Sequence, residues 1–398
     1  MQKILYKNKL SHSVYGTVLF DIGASSFGES NCGLAHLIEH MFFRASGNLN
    51  QEELYRTIEQ NGIYINGITG ENSIQIIFKC LPSKLSTTCK LIAGMFTAEW
   101  TSEMLALEKE VVKAEIIQKG SNYSTLLSHE LLGTTKNLLG TLSSISKLSL
   151  KKVREGRKAV LGSDVTFIVA GNFNEEDYSC LLNVLESFPP IFTERHAHKT
   201  EFKKLVIKPA DYNAVSLSFV FDKQRIDYRK LELFKSTVFD GTGAPVSLKL
   251  REKLGYTYEI DADIIYSGER GVLNVYFEVQ EVEDIINSIT CLFDLLNSSD
   301  KIISDDTIRQ SKPFYTDTLD FIYDDNEETV RRSAYSIIDR QGLFDIETEK
   351  REYARITVED LKNLLQQLLE ESDMQISIMS ESTRKIKAQS DYLLSMIK

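Results

Sequence analysis

The chain is poor in the features that mark secreted, membrane-embedded or nucleic-acid-binding proteins. Its five cysteines, Cys32, Cys80, Cys89, Cys180 and Cys291, are odd in number and scattered, and none forms a C-x-x-C pair. That pattern excludes a disulfide framework and points to reduced thiols in a cytoplasmic protein. No apolar run approaches the roughly 18 residues of a membrane-spanning helix, and the opening residues lack a signal-peptide core. Basic side chains are outnumbered, 46 against 57 acidic ones, for a net charge of -11. So acidic a chain has no electrostatic footprint for nucleic acid or for an anionic membrane. The balance weakly favours basic or extended peptides as partners. Hydrophobic content of 42% over 398 residues is that of a soluble globular protein, and the length suits two domains.

Histidine is scarce too, with six in the chain. Yet His36 and His40 stand four apart in Gly33-Leu-Ala-His-Leu-Ile-Glu-His-Met-Phe-Phe43, with Glu39 beside the second. On a helix that spacing places both imidazoles on one face, one turn apart, with Glu39 on nearly the same side. Two imidazoles so placed can hold one Zn2+. The order is H-x-x-E-H, the inverse of the H-E-x-x-H zinc-protease helix. Leu34, Leu37, Ile38, Met41, Phe42 and Phe43 make the segment apolar almost all round, so it belongs in a core. A lone buried histidine is usually a satisfied core residue. Two histidines and a glutamate within five positions of an apolar helix are hard to satisfy without an ion.

A β-rich stretch at 13–22 precedes this helix. Asn50 and Glu53 form a capping-box pattern opening a helix that Gly62 ends. Strands at 63–68 and 73–81, joined by Thr69-Gly-Glu-Asn72, read as a hairpin. Helical spacing covers 83–96, 102–119, 125–139, 150–161 and 175–188, with a strand at 165–170, and Trp100 reads as a core anchor. Pro189-Pro190 and the polar run after it mark a boundary: an N-terminal domain over 1–190, a linker over 191–203, a C-terminal domain over 204–398. His196 and His198 read as exposed linker residues. The second half gives a strand at 213–222, helices, strands at 256–265 and 271–279, more helices at 281–297, 305–319, 327–341 and 357–371, and a last strand at 375–379. Both halves share this order. We therefore expect an α+β fold of two similar tandem domains, each a mostly antiparallel sheet with helices packed on one face.

A catalytic zinc keeps three protein ligands and one open position, so a further carboxylate is required. In the helix over 102–119, Glu108 and Glu115 are two turns apart and share a face. They lie among Leu105, Val111 and Val112, but Lys109, Lys113 and Lys119 fit a solvated face equally well.

Here the chain resembles a known family. Gly33-Leu-Ala-His36-x-x-Glu39-His40-Met-x-Phe43, Glu53-Leu54, Ile58-Glu59, Asn66-x-x-Thr69 and Glu108-x-Glu110-x-x-Val-x-x-Glu115-Ile116 are similar to the pitrilysin and mitochondrial processing peptidase family of zinc metallopeptidases. The resemblance implies Glu115 as third ligand, 75 residues after His40, Glu108 as a supporting residue, and Glu39 as the general base. In the second half, Arg251 to Tyr258, in Arg251-Glu-Lys-Leu-Gly255-Tyr-Thr-Tyr258, resembles the family's C-terminal signature. It implies that Arg251 and Tyr258 hold substrate and oxyanion. Substrate would add as a strand along Asn66–Thr69.

The family closes a four-domain chamber, which implies that this two-domain chain dimerises, with itself or with a related subunit. The chain departs from the pattern at Gly67, where Ala is usual, in the segment Gly47-Asn-Leu-Asn50, which lacks a basic residue, and at Thr134–Gly140, which lacks a Gly-x-Pro-Leu-Gly element. The expected function is a zinc endopeptidase for short unfolded peptides or a leader peptide. A non-catalytic peptide-binding or scaffold subunit of a heterodimeric processing peptidase is the alternative. A small-molecule hydrolase using the same motif would be a single small domain, with no use for Arg251 and Tyr258.

Overall fold

The structure, a computed structural model, describes residues 1–119, 138–192, 202–267, 269–338 and 342–397. It divides into two compact units, Met1–Lys199 with Phe321–Phe344, and Thr200–Asp320 with Asp345–Lys398.

The first unit is built on five strands: β1 (Gln2–Lys7), β2 (Val14–Phe20), β3 (Tyr64–Thr69), β4 (Ile74–Cys80) and β5 (Val165–Gly171). Their order across the sheet is β1-β5-β2-β4-β3. Only the β1–β5 pair is parallel. β3 and β4 form the expected hairpin, with Thr69 opposite Ile74, and β3, like β1 on the other side, is an edge strand of the sheet. Strand alternation sorts the side chains. Val14, Val18 and Phe20 enter the main core together with helices α1 (Leu34–Phe42), α2 (Gln51–Gln60), α3 (Leu85–Thr97) and α4 (Ser102–Lys119). Tyr15, Ile168 and Ala170 point to the other face, where Val330 and Ala334 of helix Asn326–Ile338 cover them. A helix from late in the sequence thus completes the first unit.

The second unit carries β6 (Leu205–Pro209), β7 (Asn213–Asp222), β8 (Ile260–Ser267), β9 (Arg270–Val279) and β10 (Asp373–Ser380). Its order is β8-β9-β7-β10-β6, with β6 and β10 parallel and the other pairs antiparallel. In each sheet the first strand pairs with the last, the last with the second, the second with the fourth and the fourth with the third. The duplication is one of topology, strand for strand.

Sequence patterning misses β1, β6 and the helix Ile346–Arg355. β1 is polar and largely exposed, with Ile4 and Tyr6 its partly buried positions, so its apolar alternation is too short to register. The expected helix over 125–139 and the linker histidines His196 and His198 lie outside the described residues, apart from the end of that helix at 138–139. Among the described residues no helix is long and apolar enough to cross a membrane.

Candidate metal centre

Gly33 caps the start of α1 at φ +81°. A Cβ there would press on Ile145 Cδ1 at 2.6 Å and the Leu139 carbonyl at 2.7 Å. Glycine therefore lets the chain turn sharply into the helix. Leu34, Leu37, Ile38, Met41 and Phe42 are all essentially inaccessible to solvent. Phe42 meets Phe96 edge-on at 5.2 Å and the fully buried Trp100 at 5.6 Å. This packing fixes the helix, and its remaining polar side chains meet residues of α4 and β3.

His36 Nε2 and His40 Nε2 are 3.1 Å apart. Glu115 Oε2 lies 3.5 Å from the first and 3.3 Å from the second. Three corners of a tetrahedron with metal–ligand bonds of about 2.0–2.2 Å are separated by roughly 3.3–3.6 Å. The donor set of two imidazoles and one carboxylate fits a zinc ion in chemistry and in spacing. Glu39 also lies close, its carboxylate and the two imidazoles having donor atoms within 4.8 Å of one another. The Thr69 hydroxyl donates to Glu39 Oε2 at 3.2 Å. Either glutamate could therefore join the two histidines around a metal.

Burial sets the titration of this site. Desolvation pushes Glu39 up to about 7, against the opposing pull of His40 and the Thr69 hydrogen bond. His40 behaves oppositely. Burial disfavours its charge, but hydrogen bonds to Glu108 and Glu115 outweigh that penalty and raise it to about 10.

Glu108 is buried on the far side of His40, and its Oε1 accepts from His40 Nδ1 at 2.8 Å. Its other oxygen takes the Nε–H of Arg44, which is itself buried. Arg44 was not foreseen. It lies just past the end of α1, where helical spacing no longer applies, and no signal in the sequence joins it to Glu108.

A cavity of about 630 Å3 opens over these groups. Every residue from Ile65 to Thr69 lines it, so it follows β3 at the sheet's edge. Thr69 turns inward to Glu39, while Asn66 lies on the exposed side with Tyr64 and donates to that phenol at 3.1 Å. The second unit brings Arg251 and Tyr258 together, the guanidinium 5.0 Å from the ring centre. Arg251 also pairs with Glu252 at 3.3 Å, and Tyr258 is 79% exposed.

Residues 3–146 match the family described as Insulinase (Peptidase family M16), and residues 148–312 match Peptidase M16 inactive domain. The chain belongs to peptidase family M16. Relatives by sequence include an uncharacterised zinc protease of Mycobacterium leprae, 19% identical over 64% of this chain and 62% of that protein. Core protein I of the Euglena gracilis ubiquinol-cytochrome-c reductase complex is 25% identical over 33% of this chain and 28% of its own length. The matches thus span less than two thirds of these relatives.

Among solved structures, a protease from Helicobacter pylori superposes with a TM-score of 0.79 at 15% identity, covering 95% of this chain and 96% of that one. The first half of the periplasmic protease PqqL from Escherichia coli gives 0.77 at 16% identity, covering 99% of this chain and 93% of that one. Identities this low establish the shared M16 fold alone.

Proposed function

We propose that this M16 chain is a zinc-dependent endopeptidase that cleaves short unfolded peptides or a leader peptide inside a closed dimeric chamber. The reading is carried by the triangle of His36 Nε2, His40 Nε2 and Glu115 Oε2, 3.1 to 3.5 Å on a side, with a buried Glu39 beside it. In this reading His36, His40 and Glu115 hold the ion. Zinc, when bound, supplies Lewis acidity that brings water ionisation towards neutral pH.

Glu39 takes the proton of the attacking water as the scissile carbonyl is hydrated, and then holds it for the leaving amine. Burial pushes this carboxyl up to about 7 in the metal-free site, so it holds a proton more readily than an exposed glutamate does. The guanidinium of Arg251 and the phenol of Tyr258 are donors suited to the tetrahedral oxyanion. As an edge strand, β3 suits backbone hydrogen bonding to an extended peptide, with Asn66 and Thr69 at its two faces. That mode selects unfolded chains. Dimerisation, with a second copy or a related subunit, would complete the chamber. The five free thiols support a cytoplasmic setting.

Glu39→Gln tests the reading. The purified variant should keep about one zinc per chain, cut no peptide, and retain bound peptides identifiable by mass spectrometry. A wild-type chain that takes up no zinc and cuts no peptide, alone or with a related subunit, overturns the proposal.

A further inference from the structure

We propose that Arg44 is a positioning residue for the metal ligand His40, acting through Glu108; the inference rests on the zinc reading above. A histidine that gives its Nδ1–H to a carboxylate keeps its lone pair on Nε2. In His40, Nε2 is the atom 3.1 Å from His36 Nε2 and 3.3 Å from Glu115 Oε2. Glu108 therefore decides which nitrogen is offered to the ion. Glu108 is only 4% exposed, and a carboxyl group so buried needs a hydrogen-bond partner and a fixed aim.

Arg44 supplies both. Its Nε donates to Glu108 Oε2, leaving Oε1 for His40, and its Nη1 donates to Gln51 Oε1 at 2.9 Å. Contacts at two different nitrogens fix the plane of the guanidinium. A lysine ammonium, a point charge without that fork, cannot reproduce them. Gln51 sits on the cavity wall, where its Nε2 reaches the Tyr55 hydroxyl at 3.4 Å. A continuous chain of side-chain hydrogen bonds thus runs from the wall of the cavity to the metal ligand.

The test is a double-mutant cycle on zinc affinity in the full chain, measured by chelator competition for wild type, Arg44→Lys, Glu108→Gln and the double variant. Loss of an outer partner of a metal-ligating histidine lowers affinity by about 10–100-fold. Arg44→Lys should lose about tenfold, and the double variant should bind no more weakly than Glu108→Gln. The visible bands of the cobalt-substituted protein should shift in Arg44→Lys while its far-ultraviolet circular dichroism stays that of the wild type. Should Arg44→Lys fail to fold, Gln51→Ala removes the Nη1 acceptor while leaving Arg44 in place and should cost a few-fold in affinity. Unchanged affinity in a folded Arg44→Lys, or losses that multiply in the double variant, overturns the role of Arg44 while the zinc reading stands. A wild-type chain without zinc overturns both.

Discussion

The Glu39 carboxylate rests in the space that a side chain at Gly67 would fill: a Cβ there would overlap Glu39 Oε1. Position 67 faces inward on the edge strand, and its lack of a side chain lets the glutamate lie against the strand backbone within reach of Thr69. Gly67→Ala should push the carboxylate away from that contact. A misplacement of about 1 Å in a reacting group can lower turnover up to about 100-fold. We expect zinc content and KM to hold while kcat falls at least several-fold, measured by steady-state kinetics beside metal analysis. Unaltered kcat would show that the resting place of Glu39 is immaterial to turnover.

The same carboxylate sets a pH limb. Burial raises Glu39 to about 7, and the base works only when ionised. A bound dication favours the ionised form, so in the loaded enzyme the limb should lie below the metal-free value of about 7, with kcat/KM dropping about tenfold per pH unit on its acid side. Thr69 donates a hydrogen bond that favours the ionised form. Thr69→Val should therefore move the limb to higher pH. The check is a pH–rate profile of both proteins, with metal content followed at each point. Coincident limbs would remove Thr69 from the control of the base.

Zinc uptake should carry its own pH dependence. In the metal-free protein His40 is raised to about 10 by Glu108 and Glu115 in spite of its burial, so at neutral pH it holds a proton that a metal must displace. The charged form is the one stabilised, which means affinity increases as pH rises towards 10. Apparent zinc Kd should tighten about tenfold from pH 7 to pH 8 and again to pH 9, after correction for the competing chelator. Affinity independent of pH across that range would mean that His40 is already neutral in the empty site.

The side chains that the fold gathers around His36 and His40 were partly legible, because histidine is rare in this chain and the spacing is helical. His36, Glu39 and His40 needed only the four-residue interval. Glu108 and Glu115 share a face of the helix that periodicity places over 102–119, yet periodicity could not tell a carboxylate beside the histidines from a solvated one. Arg44 escaped because it follows the last helical turn, and its role depends on Glu108, 64 residues away. The stretch Asn66–Thr69 reads as a strand edge for substrate, and the twofold alternation of that strand puts the two side chains on opposite faces. Local pattern also could not assign the helix at 326–338 to the first unit. Its apolar stripe is visible in sequence, but nothing local says which sheet receives it.

That helix supports a final prediction. Val330 and Ala334 are almost wholly buried against Tyr15, Ile168 and Ala170. The Asn326 amide donates to Ser11 Oγ at 2.7 Å and to the Ser13 carbonyl at 2.9 Å, and Ser333 donates to the Tyr6 hydroxyl at 2.8 Å. The first unit therefore depends on a segment about 130 residues beyond the end of its own N-terminal stretch. Trp100 is the chain's only tryptophan and is fully buried in the main core of the first unit, so its fluorescence reports the unfolding of that unit. Val330→Ala removes buried methyl groups and should cost about 1–3 kcal/mol, shifting the urea midpoint of the Trp100 signal downward. Val330→Asp, which buries an unpaired carboxylate, should shift it further. Leu361→Ala, a fully buried change inside the second unit, should move the Trp100 transition less than Val330→Asp does. If Val330→Asp leaves that transition in place, the helix at 326–338 does not stabilise the first unit in solution.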